Sequence, residues 1–105
     1  MPSVAEKSLK DGEFPKNIVG ARALIARKRL RPKKSQEDIA ATMAEYGVNV
    51  DRWVVSRIER GERIALDYEI RALAAALYVP VSWLLAEETI WKDTDKIPPM
   101  PELKV

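Results

Sequence analysis

The side chains of this sequence that could do chemistry are those of Lys, Arg, Asp and Glu, because its 105 residues include neither Cys nor His. The missing residues are the usual zinc ligands, the thiolate nucleophile and the commonest general base near neutral pH. No two carboxylates are spaced in a way that indicates one acid–base site. We therefore expect a protein that is not an enzyme and that needs neither a metal nor a cofactor.

Lys and Arg can bind phosphate groups or nucleobases, and their distribution along the chain is uneven. Residues 16–34 contain eight of the 18 Lys and Arg and no Asp or Glu, although the formal net charge of the chain is only +2. Such a segment favours a polyanionic partner, since each neutralised phosphate releases condensed counterions. It could also be an ordinary solvated helix face. Within it, Arg29, Lys33 and Lys34 are predicted phosphate contacts.

The length and composition predict one small soluble domain. Its hydrophobic content of 47% is enough for a packed core. We expect a flexible arm at 1–15, a folded domain at 16–88 and a Pro-containing tail at 89–105. No apolar stretch is long enough to span a bilayer, and the first residues lack the apolar centre of a signal peptide. A cytoplasmic protein that does not bind membranes is expected.

Apolar residues at three- and four-residue spacing predict five amphipathic helices, at about 17–30, 36–46, 52–60, 67–78 and 81–87, and no strand. Ser35 and Asp51 are predicted N-caps, and Gly47 and Gly61 are predicted helix ends. The fold class is therefore all-α, a compact five-helix bundle. The positions expected in its core are Ile18, Ala21, Ile25, Ile39, Ala40, Met43, Tyr46, Val55, Ile58, Ile70, Leu73, Ala74, Leu77, Trp83 and Leu84.

The segment 35–61, SQEDIAATMAEYGVNVDRWVVSRIERG, follows a helix-turn-helix pattern. Through SQEDIA, VSRIERGER and the later IALDYEIRALAAALYVPVSWLL, the chain resembles the XRE family of phage-repressor and Cro/C1-like regulators over about residues 17–87. The resemblance implies a lambda-repressor-like DNA-binding domain. It also implies a bacterial or phage transcriptional regulator, a repressor, that recognises double-stranded DNA by sequence.

The second helix of this motif, at 51–60, is predicted to enter the major groove. Val55 and Ile58 are three residues apart and should both face the core, which leaves the opposite side to solvent. The predicted base-reading residues on that side are Arg52, Trp53, Ser56 and Arg57. Arg57 is the first choice, since a guanidinium can donate two parallel hydrogen bonds to guanine.

Two of these residues have alternative interpretations. Arg57 could form a surface ion pair with Glu59 or Glu62. Trp53 occupies a position where the family usually has a small or polar residue, so its indole could contact a thymine methyl group or pack against the turn as part of the core.

The remaining predicted phosphate contacts are Gln36, Arg60 and Arg63. In the family that the chain resembles, the matching Gln bonds to a phosphate while supporting the reading helix, and the residue matching Glu59 is structural. One departure is the turn. Ser56 follows Gln36 by 20 residues, whereas compact members have about 15. A subset of the family shares the longer form, with an Asp-Arg pair that resembles Asp51 and Arg52.

One reading helix covers only a few base pairs, so we expect a homodimer on half-sites about 34 Å apart. The leading candidates for its surface are the fifth helix, Ile90, Trp91 and the tail. The alternative function is that of a protein-interaction module, such as an antitoxin or a transcription adaptor, which would bind its partner through the tail. DNA binding should weaken steeply with salt, and protein binding should weaken less.

Overall fold

The computed structural model describes residues 15–86, and these residues contain five helices and no β-strand. The helices are α1 (Gly20–Lys28), α2 (Gln36–Glu45), α3 (Arg52–Glu59), α4 (Asp67–Leu77) and α5 (Val81–Leu84). The all-α prediction is confirmed for this part of the chain, and each helix lies where its periodicity placed it, with somewhat shorter ends. The predicted tail, with Ile90 and Trp91, and the predicted arm before Pro15 lie outside the described residues.

The ends of α2 and α3 follow from local chemistry. The Ser35 hydroxyl accepts a hydrogen bond from the Asp38 amide at 3.0 Å, and the Asp38 carboxylate accepts one from the Ser35 amide at 2.9 Å. Asp51 Oδ1 accepts from the Val54 amide at 3.0 Å and so caps α3. Gly47 and Gly61 have φ values of +86° and +73°, which a residue with a Cβ adopts only with strain. The two predicted caps and the two predicted helix ends are therefore present.

The core forms where α3 packs on α1 and α2, and where α4 packs on α1, α2 and α5. Most of the predicted core positions are buried. The prediction is wrong for α1, because Ile18, Ala21 and Ile25 are exposed. The buried positions begin at Val19, just before the helix, and continue within it at Gly20, Arg22, Ala23 and Ala26. Tyr46, at the end of α2, is also exposed.

The contact between α1 and α3 explains this rotation of α1. A Cβ on Gly20 would overlap the main-chain oxygen of Ile58, so only glycine allows the two backbones to approach this closely. The Asn17 side chain fixes the same end of α1. Its oxygen accepts from the Gly20 amide at 2.7 Å, and its nitrogen donates to the main-chain oxygens of Ile58 and Arg63 at 3.0 and 2.8 Å. These bonds turn the Val19 side of α1 towards the core.

Within residues 15–86, no helix combines the length and the apolar character that crossing a bilayer requires.

Candidate functional site

The exposed face of α3 is cationic and aromatic. Trp53, Arg57 and Arg60 are exposed on one side of it, and Val55 and Ile58 are buried on the opposite side. Arg52 is exposed at the first position of the helix. Trp53 is 57% exposed and so is not a core residue. In the described part of the chain no carboxylate lies within ion-pair distance of Arg57. Of the four predicted base-reading side chains, Trp53 and Arg57 therefore share one exposed face. Arg52 lies one turn before Ser56, on the packed stripe, but it is exposed at the start of the helix and its guanidinium reaches the Trp53 ring.

Ser56 does not belong to this face. It was predicted to point outward, but it is only 7% exposed. Its position, one residue after Val55 and three before Glu59, places it at the edge of the packed side, and Glu59 is buried as well. Because α3 packs on both α1 and α2, its buried side is wider than a single apolar stripe. The predicted outward position of Ser56 is therefore wrong, and this arrangement does not favour a base contact by its hydroxyl.

Glu59 is the only acidic residue of α3, and it lies in a hydrogen-bonded network. Arg27 donates to its two carboxylate oxygens at 2.7 and 3.0 Å, and the Gln36 amide donates to one of them at 2.8 Å. Arg27 also donates to the main-chain oxygen of Lys34 at 3.2 Å. The hydrogen bond to Glu59 raises the pKa of Arg27. The network joins α1, the loop before α2, the start of α2 and the end of α3, and it places a cation beside the one acid of α3.

Gln36, which was predicted to bind phosphate, therefore supports α3 directly. Its neighbours at the start of α2 are both acidic, Glu37 and Asp38. Hydrogen bonds from the backbone and side chain of Ser35 lower the pKa of Asp38, so this carboxylate is anionic near neutral pH. A phosphate at this helix end would need nearby cations to balance these charges. Lys33 and Lys34 precede it and are exposed.

The structure does not support Arg63 as a phosphate contact. Its guanidinium donates to both carboxylate oxygens of Glu69 at 2.7 and 3.0 Å, and the Glu69 side chain is only 4% exposed. Burial alone would raise the pKa of Glu69, but hydrogen bonds from Arg63 and the Leu66 amide hold it below its ordinary value. A buried carboxylate needs such a partner. Arg63 therefore fastens the loop between α3 and α4.

The other basic residues divide into two groups. Arg29 is partly buried and donates to the main-chain oxygen of Tyr78 at 3.0 Å, and burial lowers its pKa. Arg22 is buried against Trp83. Arg22, Arg27 and Arg29 are therefore the basic residues of 16–34 that make contacts within the fold. Arg60 is exposed and makes a surface ion pair with Glu62 at 3.3 Å. The exposed cations of the segment are Lys16, Lys28, Arg31, Lys33 and Lys34.

Arg52 lies at the first position of α3, where the positive end of the helix dipole repels its charge. Among the ion pairs of the described residues there is none between Asp51 and Arg52. The Asp51 carboxylate instead caps the helix. The contact that Arg52 makes is with the next residue. Its Cζ lies 4.5 Å from the centroid of the Trp53 ring, within the range of a cation–π interaction.

Sequence reasoning missed two residues that hold the site together, Arg27 and Asn17. In the sequence, Arg27 is one of the eight basic residues of 16–34 with no role of its own predicted, and no role is predicted for Asn17. Asn17 had a readable signal, since Asn is a favoured residue just before a helix. Arg27 had none, because its partner Glu59 is 32 residues away. Lys16 also comes close to α3, since its amide donates to the main-chain oxygen of Gly61 at 2.8 Å.

Comparison of the chain with protein-family models, with curated proteins and with solved structures finds no match.

Proposed function

We propose that this protein is a sequence-specific double-stranded DNA-binding regulator that places α3 in the major groove. The observation that carries the proposal is the exposed face of α3 formed by Trp53 and Arg57, which the Arg52 guanidinium joins by stacking on Trp53. The acid of this helix, Glu59, is buried and engaged by Arg27. Guanidinium groups on the exposed face of a short helix can reach the oxygen and nitrogen acceptors of guanine.

The neighbouring elements suit this function. The α2–turn–α3 unit has the helix-turn-helix order, and the network around Glu59 supports the reading helix from behind. Lys33 and Lys34 are exposed next to that network and could contact the DNA backbone. Because one helix reads only a few base pairs, the functional form is a homodimer on paired half-sites, and repression by occupying the operator is the simplest use of it.

Binding to another protein is the second candidate function, and one observation favours it. Ile18, which precedes α1, and Ile25, within it, are 67% and 49% exposed, and exposed apolar side chains would suit a protein partner.

Selection of bound duplexes from a randomised library, followed by titration of the recovered duplex at several salt concentrations, tests the proposal. We expect one preferred site with a repeated half-site and a steep loss of affinity as salt rises. Arg57→Ala should cost about 1–3 kcal/mol on that site and relax preference at one base pair. Arg71→Ala, which removes the same charge from the exposed surface of α4, is the control. If no duplex is enriched, the proposal is wrong.

A further inference from the structure

We infer that Trp53 is a positioning residue, which holds the Arg52 guanidinium in place for reading a guanine. This inference rests on the proposed function and identifies how one base contact of that site is prepared. It starts from the 4.5 Å stack of Arg52 on the Trp53 ring, between two side chains that are both exposed.

Neither residue is explained by the stability of the fold. A cation at the first position of a helix is unfavourable, because the amide groups there already carry partial positive charge. A Trp that is 57% exposed leaves much of its apolar surface in water. The unfavourable charge of Arg52 and the exposed apolar surface of Trp53 occur at adjacent positions beside the surface proposed to contact DNA. Residues that are unfavourable for the fold are typical of functional sites.

The stack restricts the conformational freedom of the Arg52 side chain, which is what limits an arginine in recognising a base. A free Arg side chain has many rotamers, and it must adopt one plane to donate two parallel hydrogen bonds to guanine. Stacking on an aromatic ring restricts that plane before DNA arrives, so less conformational freedom is lost on binding. Trp53 thereby contributes to affinity and to base preference through Arg52.

Direct stacking of Trp53 on a nucleobase fits the geometry less well. The bases of a duplex are stacked on each other, so an indole from the groove can reach only their edges. One face of the Trp53 ring is already covered by Arg52. A contribution of Trp53 that acts through Arg52 requires no distortion of the DNA, whereas direct stacking on a base would.

A double-mutant cycle on the duplex recovered by selection tests the inference, with Arg52→Ala, Trp53→Ala and the combined variant. We expect Trp53→Ala to weaken binding about two- to fivefold in the parent, the range of an exposed cation–π pair, and to have no effect once Arg52 is Ala. Both single variants should lose preference for the same guanine, and Trp53→Phe, which keeps an aromatic face, should retain most of it. An undiminished loss in the Arg52→Ala background would overturn the inference.

A measurement without DNA separates this inference from the proposed function. In the free protein, ring currents should shift the Arg52 side-chain proton resonances upfield, and Trp53→Ala should return them to ordinary values. If the parent shows no such shift, the inference fails even where duplex binding is strong. If the shift is present but no duplex is bound, the proposed function fails, and the role assigned to the stack fails with it.

Discussion

The Arg22 guanidinium carbon lies 4.4 Å from the centroid of the Trp83 ring, and Arg22 Nη1 donates to the main-chain oxygen of Trp83 at 3.0 Å. Arg22 is 1% exposed, so this cation–π contact between α1 and α5 lies inside the protein. A member of the basic segment is therefore a core residue. The hydrocarbon part of the Arg22 side chain fills space between the helices, and its guanidinium packs against the Trp83 ring.

Arg22→Ala should lower the free energy of unfolding by about 2–4 kcal/mol, because it leaves a cavity and removes the cation–π contact. Arg22→Met keeps most of the stem and should lose less than half as much, since a buried charge is often replaceable by an apolar side chain. Urea denaturation of both variants measures the difference. A larger loss for Arg22→Met than for Arg22→Ala would show that packing of the stem is not what matters.

Local sequence signals were sufficient to predict the helices and their caps. Ser35, Asp51, Gly47 and Gly61 act on amides and carbonyls a few residues away, so their chemistry can be read from the chain. Which side of α1 is buried could not be predicted from the sequence, because apolar residues lie on two sides of this helix. The contact with α3 that Gly20 permits determines which side is buried.

The candidate site was predictable to a similar extent. The outward positions of Trp53 and Arg57 follow from the burial of Val55 and Ile58, whereas Arg52 is exposed because it starts the helix. The burial of Ser56 does not, because it depends on α3 being packed on two sides. The ion pair of Arg63 with Glu69 could not be predicted either, because it depends on the burial of Glu69 in the folded protein.

Glu59→Gln should destabilise the protein by about 2–4 kcal/mol, because Arg27 would be left without its carboxylate in a mostly buried site. The matched control is Glu62→Gln, which breaks the exposed ion pair with Arg60 and should change stability by at most about 0.5 kcal/mol. Thermal or urea unfolding of the two variants makes the comparison. Equal effects would mean that the network around Glu59 does not stabilise the contact of α3 with α1 and α2.

The stability of the protein should fall as the pH is lowered through the range in which Glu69 takes up a proton. The hydrogen bonds from Arg63 and the Leu66 amide keep the pKa of Glu69 in the folded protein below 4.5, its ordinary value. The unfolded chain therefore binds the proton first. The stabilisation is complete well above pH 4.5 and is lost as the pH falls towards the folded-state pKa.

Unfolding by urea at a series of pH values between about 6 and 3 measures this dependence. Glu69→Gln should be less stable at neutral pH and should show a shallower decline with acid. The decline that remains includes the contribution of Asp38, whose pKa is lowered from 3.8 by its hydrogen bonds with Ser35. An unchanged acid slope in Glu69→Gln would contradict the role given to the pair with Arg63.

Changing Lys33 and Lys34 together to Ala should weaken binding to all duplexes similarly, because exposed lysines next to the Arg27–Glu59 network would contact phosphates and not bases. The slope of log affinity against log salt should flatten by up to about two units, one for each phosphate that is no longer neutralised. Arg71→Ala on α4 is the control and should leave the slope unchanged. The measurement is a salt titration of binding to the selected duplex and to an unrelated one. If the double variant kept the parent's slope, both lysines would lie outside the DNA interface, and the phosphate contacts would have to come from other exposed cations such as Lys16 and Arg60.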